Sequence, residues 1–452
     1  MTAFDYVLQV TDQTAGTVTL TTSPFQVKSY QPEAGDREEP SVVETIEVRV
    51  ADGSPAANLA EVRTLNNLLE QAERAQEGRS VKRVYLTWQE NATADVYRSE
   101  ILRGRVVWES SALELPYWVG NEQFANLHLE RRNWWEGPEA QIPLTNPNGT
   151  ANLTGLSVYN NNCGTGSGTA YEYNYVDIAG TSVFGDLSAP VKMMVTPMVS
   201  SMNVIKIANN VTSAGTLIHW FEDISGSSGI SGANIAVANR SNGTVFLGTV
   251  PNGWTYGGQI HYSIPNLQKD MDGNYARMTL TARAGAITPI KIFASYTAVP
   301  GLGPEIYWTP EGTSAYSQVD LGLVKFPHIT NGTLPFSLQT LRVVIQHEYG
   351  SEFQLWVDSM QVTPIDYYSK YSFKTAAGTA DIIYIDPYLD DYYTERGGTA
   401  LLNDSGSHEG ELRIQPQKDQ RLYFRFESGG NDTSAVNYVN LKAWYRPRRL
   451  TL

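Results

Sequence analysis

Clustered carboxylates are the residues of this chain that come nearest to an enzyme site. The segment "DPYLDDYYTE" holds three Asp and one Glu, and "FED" supplies Glu222 and Asp223. Two carboxyl groups held about 5–9 Å apart can hydrolyse a glycosidic bond. Acids in tyrosine-rich loops usually face solvent, so a glycoside-processing enzyme is the least favoured of three hypotheses. Asp390 and Glu222 are the residues that would test it.

Another group of oxygen ligands lies in "KDMDGNY", where Asp270, Asp272 and Asn274 alternate around a glycine turn. A calcium loop begins in this way. The distal acid that completes such a loop is missing, because Thr281 occupies its position. A plain β-turn is therefore the favoured interpretation, and we predict no metal site.

Nucleophiles and metal-binding side chains do not form a recognisable pattern. The six histidines are scattered, with no pair at metal-ligand spacing, and they are His128, His219, His261, His328, His347 and His408. The single cysteine, Cys163, lies in a Gly/Asn-rich stretch without an evident base. No phosphate-binding glycine loop, nucleophile elbow or metalloprotease helix occurs. We predict no catalytic residue and no cofactor, and the chain is not expected to be an enzyme.

Aromatic side chains are better candidates for binding than for catalysis. Adjacent strand residues face opposite sides, so one of Trp134 and Trp135 is expected in the core and the other outside. An exposed Trp can anchor an interface or stack on a sugar ring, although a structural role for the pair is favoured. Trp254 and Tyr256, in the glycine-rich "PNGWTYGG", are the candidates for glycan contact.

These side chains belong to an acidic protein of 452 residues with a formal net charge of −14. General binding to nucleic acid needs a basic face, so this charge argues against it. The sequence has no apolar run of about 18 residues for a membrane span, and no signal peptide is expected. Its one cysteine excludes an internal disulfide framework, so synthesis in a reducing cytosol is the simplest interpretation.

The elements that position these residues are predicted to be short strands, with one helix. The 26 Tyr, 38 Gly and 22 Pro favour strands joined by turns. A helix is predicted over 55–77, with Ser54 as its cap, Pro55 in its first turn and Gly78 at its end. Its apolar stripe consists of Val62, Leu65, Leu69 and Ala72.

The predicted fold class is mainly β: a β-sandwich or barrel with one packed helix, interrupted by an antiparallel jelly-roll β-sandwich. Residues 1–150 form the N-terminal part of the first domain, and the Gly/Asn/Thr-rich stretch 151–172 is a linker. Residues 173–365 form the inserted jelly roll, with short strands punctuated by turns. Residues 366–452 hold too few strands for a core of their own, so they are expected to complete the first domain.

Several stretches resemble the distal-tail and tail-tube proteins of long-tailed bacteriophages. They are "ANLAEVRTLNNLLEQAE", "LERRNWWEGPE" and "AWYRPRRL". Two further stretches, "YNYVDIAGTSVFGDLSAPVKMMV" and "QLWVDSMQVTPI", resemble carbohydrate-binding jelly rolls of tail proteins. The resemblance implies a ring of identical subunits around the tail axis of a virion, assembled in the bacterial cytoplasm. It also implies an inserted domain that points outward, sometimes toward host glycans.

The end of the chain is the predicted subunit interface. The residues assigned to it are Trp135, Trp444, Arg446, Arg448 and Arg449. The arginines could meet the acidic loop "GDREEP" of a neighbour, which would set register more than affinity. Two alternatives remain open: the arginines form a solvated strand end, or they pair within their own subunit.

The favoured function is that of a non-catalytic structural protein at the tip or tube of a phage tail. It would form a homo-oligomeric ring and contact other tail proteins. The alternative is a carbohydrate-binding protein used in host-surface recognition, and the two functions can coexist in one molecule. Neither nucleic acid nor a membrane is an expected partner.

Overall fold

The structure is a computed structural model. In it the chain forms two compact units. Unit 1 consists of Met1–Ala140, Phe184–Ala189 and Arg446–Leu452, and unit 2 of Gln141–Val183 and Pro190–Tyr445. The residues that the structure describes are 6–12, 14, 16–28, 30–36, 38–50, 55–80, 82–90, 93–108, 123–147, 149–150, 155–160, 174–199, 201–211, 219–221, 226–237, 244–263, 275–296, 302–310, 312–326, 340–347, 351–379, 381–389, 391–402, 404–428, 431–432 and 438–452.

One helix and many short strands make up the described residues. The elements before the first long gap in unit 2 are β1 (Tyr6–Thr11), β2 (Thr17–Thr19), β3 (Phe25–Val27), β4 (Ser41–Val50), α1 (Pro55–Gln76), β5 (Val84–Glu90), β6 (Val96–Trp108), β7 (Gln123–Arg132), β8 (Trp135–Glu136), β9 (Ala140–Gln141), β10 (Leu144–Asn146), β11 (Gly149–Thr150) and β12 (Leu156–Tyr159). The next are β13 (Tyr175–Ile178), β14 (Ala189–Pro190), β15 (Lys192–Pro197), β16 (Met202–Val211), β17 (His219–Phe221), β18 (Gly226–Ser228), β19 (Ser231–Ala236), β20 (Thr244–Val250), β21 (Gly253–Ser263), β22 (Tyr275–Ala284), β23 (Ile290–Tyr296), β24 (Ile306–Trp308) and β25 (Ser317–Lys325). The last are β26 (Thr340–His347), β27 (Phe353–Pro364), β28 (Tyr368–Ala377), β29 (Ile382–Asp386), β30 (Asp391–Arg396), β31 (Thr399–Leu401), β32 (Ser405–Glu409), β33 (Arg413–Ile414), β34 (Gln420–Ser428), β35 (Asn431–Asp432), β36 (Tyr438–Tyr445) and β37 (Arg448–Arg449).

Unit 1 is an antiparallel sheet with the helix packed against one face. The strand order is β2-β1-β5-β6-β7-β4-β3, and β8 pairs with both β6 and β37. The helix predicted at 55–77 spans Pro55–Gln76, and its Leu65 and Ala72 are fully buried. Gly78 follows with a φ of +70°, the left-handed conformation in which glycine ends a helix. Ser54 lies outside the described residues.

On the other face of this sheet, exposed side chains alternate with the buried side chains of the core. In β4, Ile46 and Val48 are buried, whereas Thr45 and Glu47 are exposed. This period of two is what a strand with one buried face requires. The outward face is therefore built from alternate residues of β3, β4, β6 and β7.

Unit 2 contains three larger sheets. One runs β11-β10-β13-β34-β35-β25-β22-β27-β20-β19, with β16 paired to β28 and β34. The second runs β12-β36-β15-β29-β30-β31, and the third β18-β21-β26-β23-β24. The third sheet shares one apolar core with β20, β22, β25 and β27, in which Ile260, Ile292 and Val343 meet Leu280 and Val357.

The mainly β class with one helix is confirmed, but the predicted boundaries need correction. Of residues 366–452, only Arg446–Leu452 belongs to unit 1. The strands β28, β34 and β36 belong to unit 2, because they pair with β16, β13 and β15 there. The predicted insert therefore begins and ends inside a larger unit, and most of the predicted linker 151–172 lies outside the described residues.

No helix in the described part of the chain is both long and apolar enough to cross a membrane.

Candidate functional site

The predicted basic end of the chain lies in a buried ionic cluster of unit 1. Glu136 on β8 accepts hydrogen bonds from two guanidinium groups. Nη2 of Arg448 lies 2.9 Å from Oε1, and Nε of Arg98 lies 3.2 Å from Oε2. The three side chains are between 5% and 9% exposed. Arg98 also lies 4.5 Å from the ring centre of Tyr85, and Arg448 lies 4.5 Å from that of Trp134.

This cluster joins β37 to the sheet of unit 1. Arg448 pairs with Glu136 and Arg449 with Trp135 in an antiparallel bridge, and the carbonyl of Pro447 accepts a hydrogen bond from the Gly137 amide at 2.8 Å. Buried charges are tolerated only where they are paired and hydrogen-bonded. Two cations on one carboxylate, each stacked on an aromatic ring, meet that requirement. The C-terminal strand is thus held by charge as well as by backbone pairing.

A second buried ion pair, Arg131 with Glu44, lies in the same unit. Both side chains are almost completely buried, and the Arg131 guanidinium stacks 4.6 Å from the ring centre of Trp135. The hydroxyl of Tyr30 donates to Glu44 at 2.9 Å. Burial, together with the nearby Glu44 charge, raises the pKa of Tyr30 far above its usual value. The pair therefore connects β4, β7 and the segment that follows β3.

The described residues 33–36 and 38–40, which we call the acidic loop from here on, are held by this second pair and by residues next to it. Arg131 donates to the carbonyl of Glu33 at 3.0 Å, and the Glu33 amide donates to Glu44 at 2.8 Å. The side-chain amide of Asn133 donates to the carbonyls of Asp36 and Glu39. The amide of Gly35 donates to the carbonyl of Leu450 at 2.9 Å, so the loop lies beside its own C-terminal segment.

Two of the predicted interface residues are engaged within their own subunit. Trp135 is fully buried, and Arg448 is 8% exposed in its pair with Glu136. The alternative that the arginines pair within their own subunit holds for Arg448. Strand alternation correctly placed one tryptophan in the core, and Trp134 remains half-buried. The type and spacing of residues gave no sign that Glu136 is the partner of Arg448.

The other predicted interface residues are more accessible. Arg446 is half-buried and donates to the carbonyl of Gly137 at 3.1 Å. Arg449 is exposed and donates to the hydroxyl of Tyr97 at 3.3 Å. Trp444, in unit 2, is half-buried on β36 opposite Lys192. Their role in a subunit contact remains a prediction.

In unit 2, the outward face of the sheet β18-β21-β26-β23-β24 combines aromatic and polar side chains. Tyr307 is 65% exposed and pairs across β23 and β24 with Lys291, while Phe293 is half-buried. Arg342 donates to Oε1 of Gln259 at 2.7 Å. The backbone of Trp254 and Tyr256 belongs to β21 beside this face, at an irregularity in the register, and their side chains lie outside the described residues.

Sequence analysis missed this face, although a signal was present. In "PIKIFASYTA", the buried Ile290, Ile292 and Ala294 alternate with Lys291 and Phe293. The alternation separates a core face from an outward face. No glycine-rich motif like that of "PNGWTYGG" marks this face in the sequence.

The predicted carboxylate and metal candidates are mostly beyond the described residues. Those outside are Cys163, Glu222, Asp223, Asp270, Asp272, Asn274, His328 and Asp390. Asp386 is 8% exposed, and it lies 3.4 Å from Nζ of Lys192 and accepts the Tyr388 amide. Among the described residues no group of three or more His, Cys, Asp or Glu has the geometry to hold a metal ion.

The described histidines are packed singly rather than as ligand sets. His347 is fully buried, with the ring of Phe353 edge-on at 4.6 Å, and burial lowers its pKa. His408 stacks on Tyr392 at 4.9 Å. His128 shares a hydrogen bond of 2.9 Å with Thr45 on the outward face of unit 1.

No protein-family model and no curated protein matches the chain. Among solved structures, it is similar to the SPP1 Dit protein, whose description is a paradigm of the hub adsorption apparatus in phages infecting Gram-positive bacteria. The identity is 9%, the match covers 98% of each chain and the TM-score is 0.24. A protein of the phage P2 baseplate in its activated conformation matches at 8% identity, over 99% of this chain and 100% of that one, with a TM-score of 0.29.

A glycoside hydrolase domain, that of Endo-D from Streptococcus pneumoniae R6, is also similar over part of the chain. It matches at 9% identity, over 50% of this chain and 37% of that one, with a TM-score of 0.20. At these TM-scores a functional role has to rest on the residues of the chain itself.

Proposed function

We propose that this chain is a non-catalytic structural protein of a phage tail that assembles with copies of itself and with other tail proteins. The observation that carries this proposal is the exposed outward face of the unit 1 sheet. Phe124 is 48% exposed and Val107 39% near one end of this face, and Val43 is 71% exposed near the other end. Exposed apolar side chains on a surface that also carries polar groups are typical of an interaction site.

The buried ion pairs of unit 1 support an assembly role as well. An interface needs a surface whose backbone is fixed before binding, because ordering it on binding costs free energy. Arg131 with Glu44, and Glu136 with its two arginines, fix the strands and the acidic loop that border the outward face. The two stretches that carry the tail-protein resemblance, "LERRNWWEGPE" and "AWYRPRRL", include Arg131, Glu136 and Arg448.

Mass measurement tests this proposal directly. Native mass spectrometry and negative-stain imaging of the purified full chain are expected to show closed rings or tubes of identical subunits. A strict monomer at every concentration would contradict it. Flanking genes that encode tape-measure or tube proteins are the expected genomic context of a tail component.

A second function, glycan binding by unit 2, is favoured by the outward face around Tyr307. Flat aromatic rings pack against the apolar faces of sugar rings, and amide and guanidinium groups bind their hydroxyls. Tyr307 and Phe293 supply rings, and Gln259, Lys291 and Arg342 supply polar groups. A glycan array probed with the full chain is expected to identify a bacterial surface polysaccharide.

The matched variants for that assay are Tyr307→Ala and Tyr275→Ala. Both tyrosines are exposed, but Tyr275 lies on β22 in a different sheet. Binding is expected to fall in the first variant and to persist in the second. Equal binding by both, or no binding to any glycan by the unmodified chain, would argue against this function.

A further inference from the structure

The acidic loop presents carboxylates outward from a fixed backbone. Glu33, Asp36, Glu38 and Glu39 are all exposed, and Arg37 is the one cation that the sequence places among them. The bonds that hold the loop use its backbone carbonyls and amides, so the Glu38 and Glu39 carboxylates are not needed to keep it in place. The loop is thus a rigid anionic surface.

The outward face of the unit 1 sheet has the opposite charge. We call it the basic face. Its charged side chains include the cations Lys28, Arg49, Arg103, Arg105 and Arg132 and the carboxylates Glu47, Glu100 and Glu130. A local excess of cations is notable in a chain whose formal net charge is −14. Lys28 pairs with Glu47 at 2.9 Å and Arg103 with Glu130 at 2.9 Å, so Arg49 and the exposed Arg105 account for the excess of positive charge.

A groove in the basic face provides a place for an anionic segment. Its volume is about 470 Å³, and its lining includes Lys28, Glu47, Arg49 and the exposed ring of Phe124. Arg49 donates to Oε1 of Gln26 at 3.1 Å, which holds the guanidinium along the groove. The groove therefore combines two cations, of which Lys28 is paired with Glu47, with an apolar surface.

We infer that the acidic loop of one copy docks on the basic face of a second copy. This inference rests on the homo-oligomer of the proposed function and names its contact surfaces. The two surfaces belong to the same unit but are different, so the contact is head-to-tail. A head-to-tail contact generates a ring when its rotation closes. Opposite charges set the register and orientation, while Val43, Val107 and Phe124 lose exposed apolar area.

Charge reversal with rescue tests this pairing. One variant carries Lys28→Glu and Arg105→Glu, a second carries Glu38→Lys and Glu39→Lys, and a third carries all four changes. All these side chains are exposed, so the fold is expected to persist. Far-UV circular dichroism and thermal unfolding check this for each variant before association is measured.

The matched control is Glu70→Lys with Glu73→Lys, two exposed acids of helix α1. The dissociation constant of the oligomer is measured by sedimentation at low salt. Each reversal alone is expected to weaken association at least about tenfold, because attraction becomes like-charge repulsion. The four-change variant is expected to return to within about threefold of the unmodified chain, and the control to stay there.

The outcomes separate this inference from the proposed function. If the unmodified chain forms rings and the loop reversal leaves them unchanged, another occupant covers the basic face. The inference is then wrong, whereas the homo-oligomer of the proposed function is supported. A failure of the four-change variant to recover would also overturn the pairing. If the unmodified chain is a monomer throughout, both the inference and the homo-oligomer fail.

Discussion

Replacing Arg448 by Met is the sharpest test of how the C-terminal strand is held in unit 1. The change keeps a long aliphatic side chain against Trp134 but removes both hydrogen bonds to Glu136, at 2.9 Å and 3.2 Å. Removing one partner of a buried ion pair costs about 3–5 kcal/mol. Because Glu136 keeps its bond to Arg98, the free energy of unfolding of unit 1 is expected to fall by about 2–3 kcal/mol.

Arg449→Met is the matched control, since it changes the same residue type one position further along β37. Arg449 is exposed, and substitution of such residues changes stability by about 0.5 kcal/mol or less. Both variants lose one positive charge. The difference between their free energies of unfolding therefore reports the effect of burial and ion pairing at Arg448.

Hydrogen exchange of the backbone amides of β6 and β8 is the assay, because it reports on unit 1 separately from unit 2. Protection is expected to fall in Arg448→Met and to stay close to that of the unmodified chain in Arg449→Met. Equal protection in both variants would refute the reasoning, since a buried charge pair would then contribute no more than a solvated arginine.

Three further perturbations test the core, a buried tyrosine and a strained turn. Leu65→Ala on the buried side of α1 is expected to lower the free energy of unfolding, measured with denaturant, by about 2–5 kcal/mol. Asn66→Ala on the exposed side is expected to lower it by about 0.5 kcal/mol or less. Similar losses in the two variants would contradict the packing of the helix. Burial raises the pKa of Tyr371 to about 12 from 10.0, so between those values the unfolded chain releases a proton that the folded chain keeps. The free energy of unfolding therefore falls as pH rises, by up to about 2.7 kcal/mol, and Tyr371→Phe is expected to remove this part of the loss; an unchanged pH dependence of unfolding would disagree. Gly410→Ala is expected to destabilise the protein more than Gly397→Ala. Both glycines have a positive φ, but only at Gly410 does an added Cβ meet a backbone carbonyl, that of Tyr368. Thermal unfolding compares the two variants, and equal losses of stability would mean that the positive φ alone causes them.

The sequence by itself determined the elements with a local period. The helix predicted at 55–77 spans Pro55–Gln76. In β36 the apolar residues recur at every second position of the sequence, and Val439, Leu441 and Ala443 are buried. Both follow from which neighbours along the chain share a face, so no distant residue is needed to predict them.

Only the tertiary structure decided which strands share a sheet and which arginine is buried. Strand β36 pairs with β15 and β12 of unit 2, rather than completing the sheet of unit 1 as the sequence led us to expect. Arg448 and Arg449 are chemically identical neighbours, and alternation says only that they face opposite ways. Arg448 is the buried one because it reaches Glu136, a buried carboxylate that stabilises its positive charge. Glu136 lies 312 positions earlier in the chain, and a local sequence period carries no information about a contact between such distant residues.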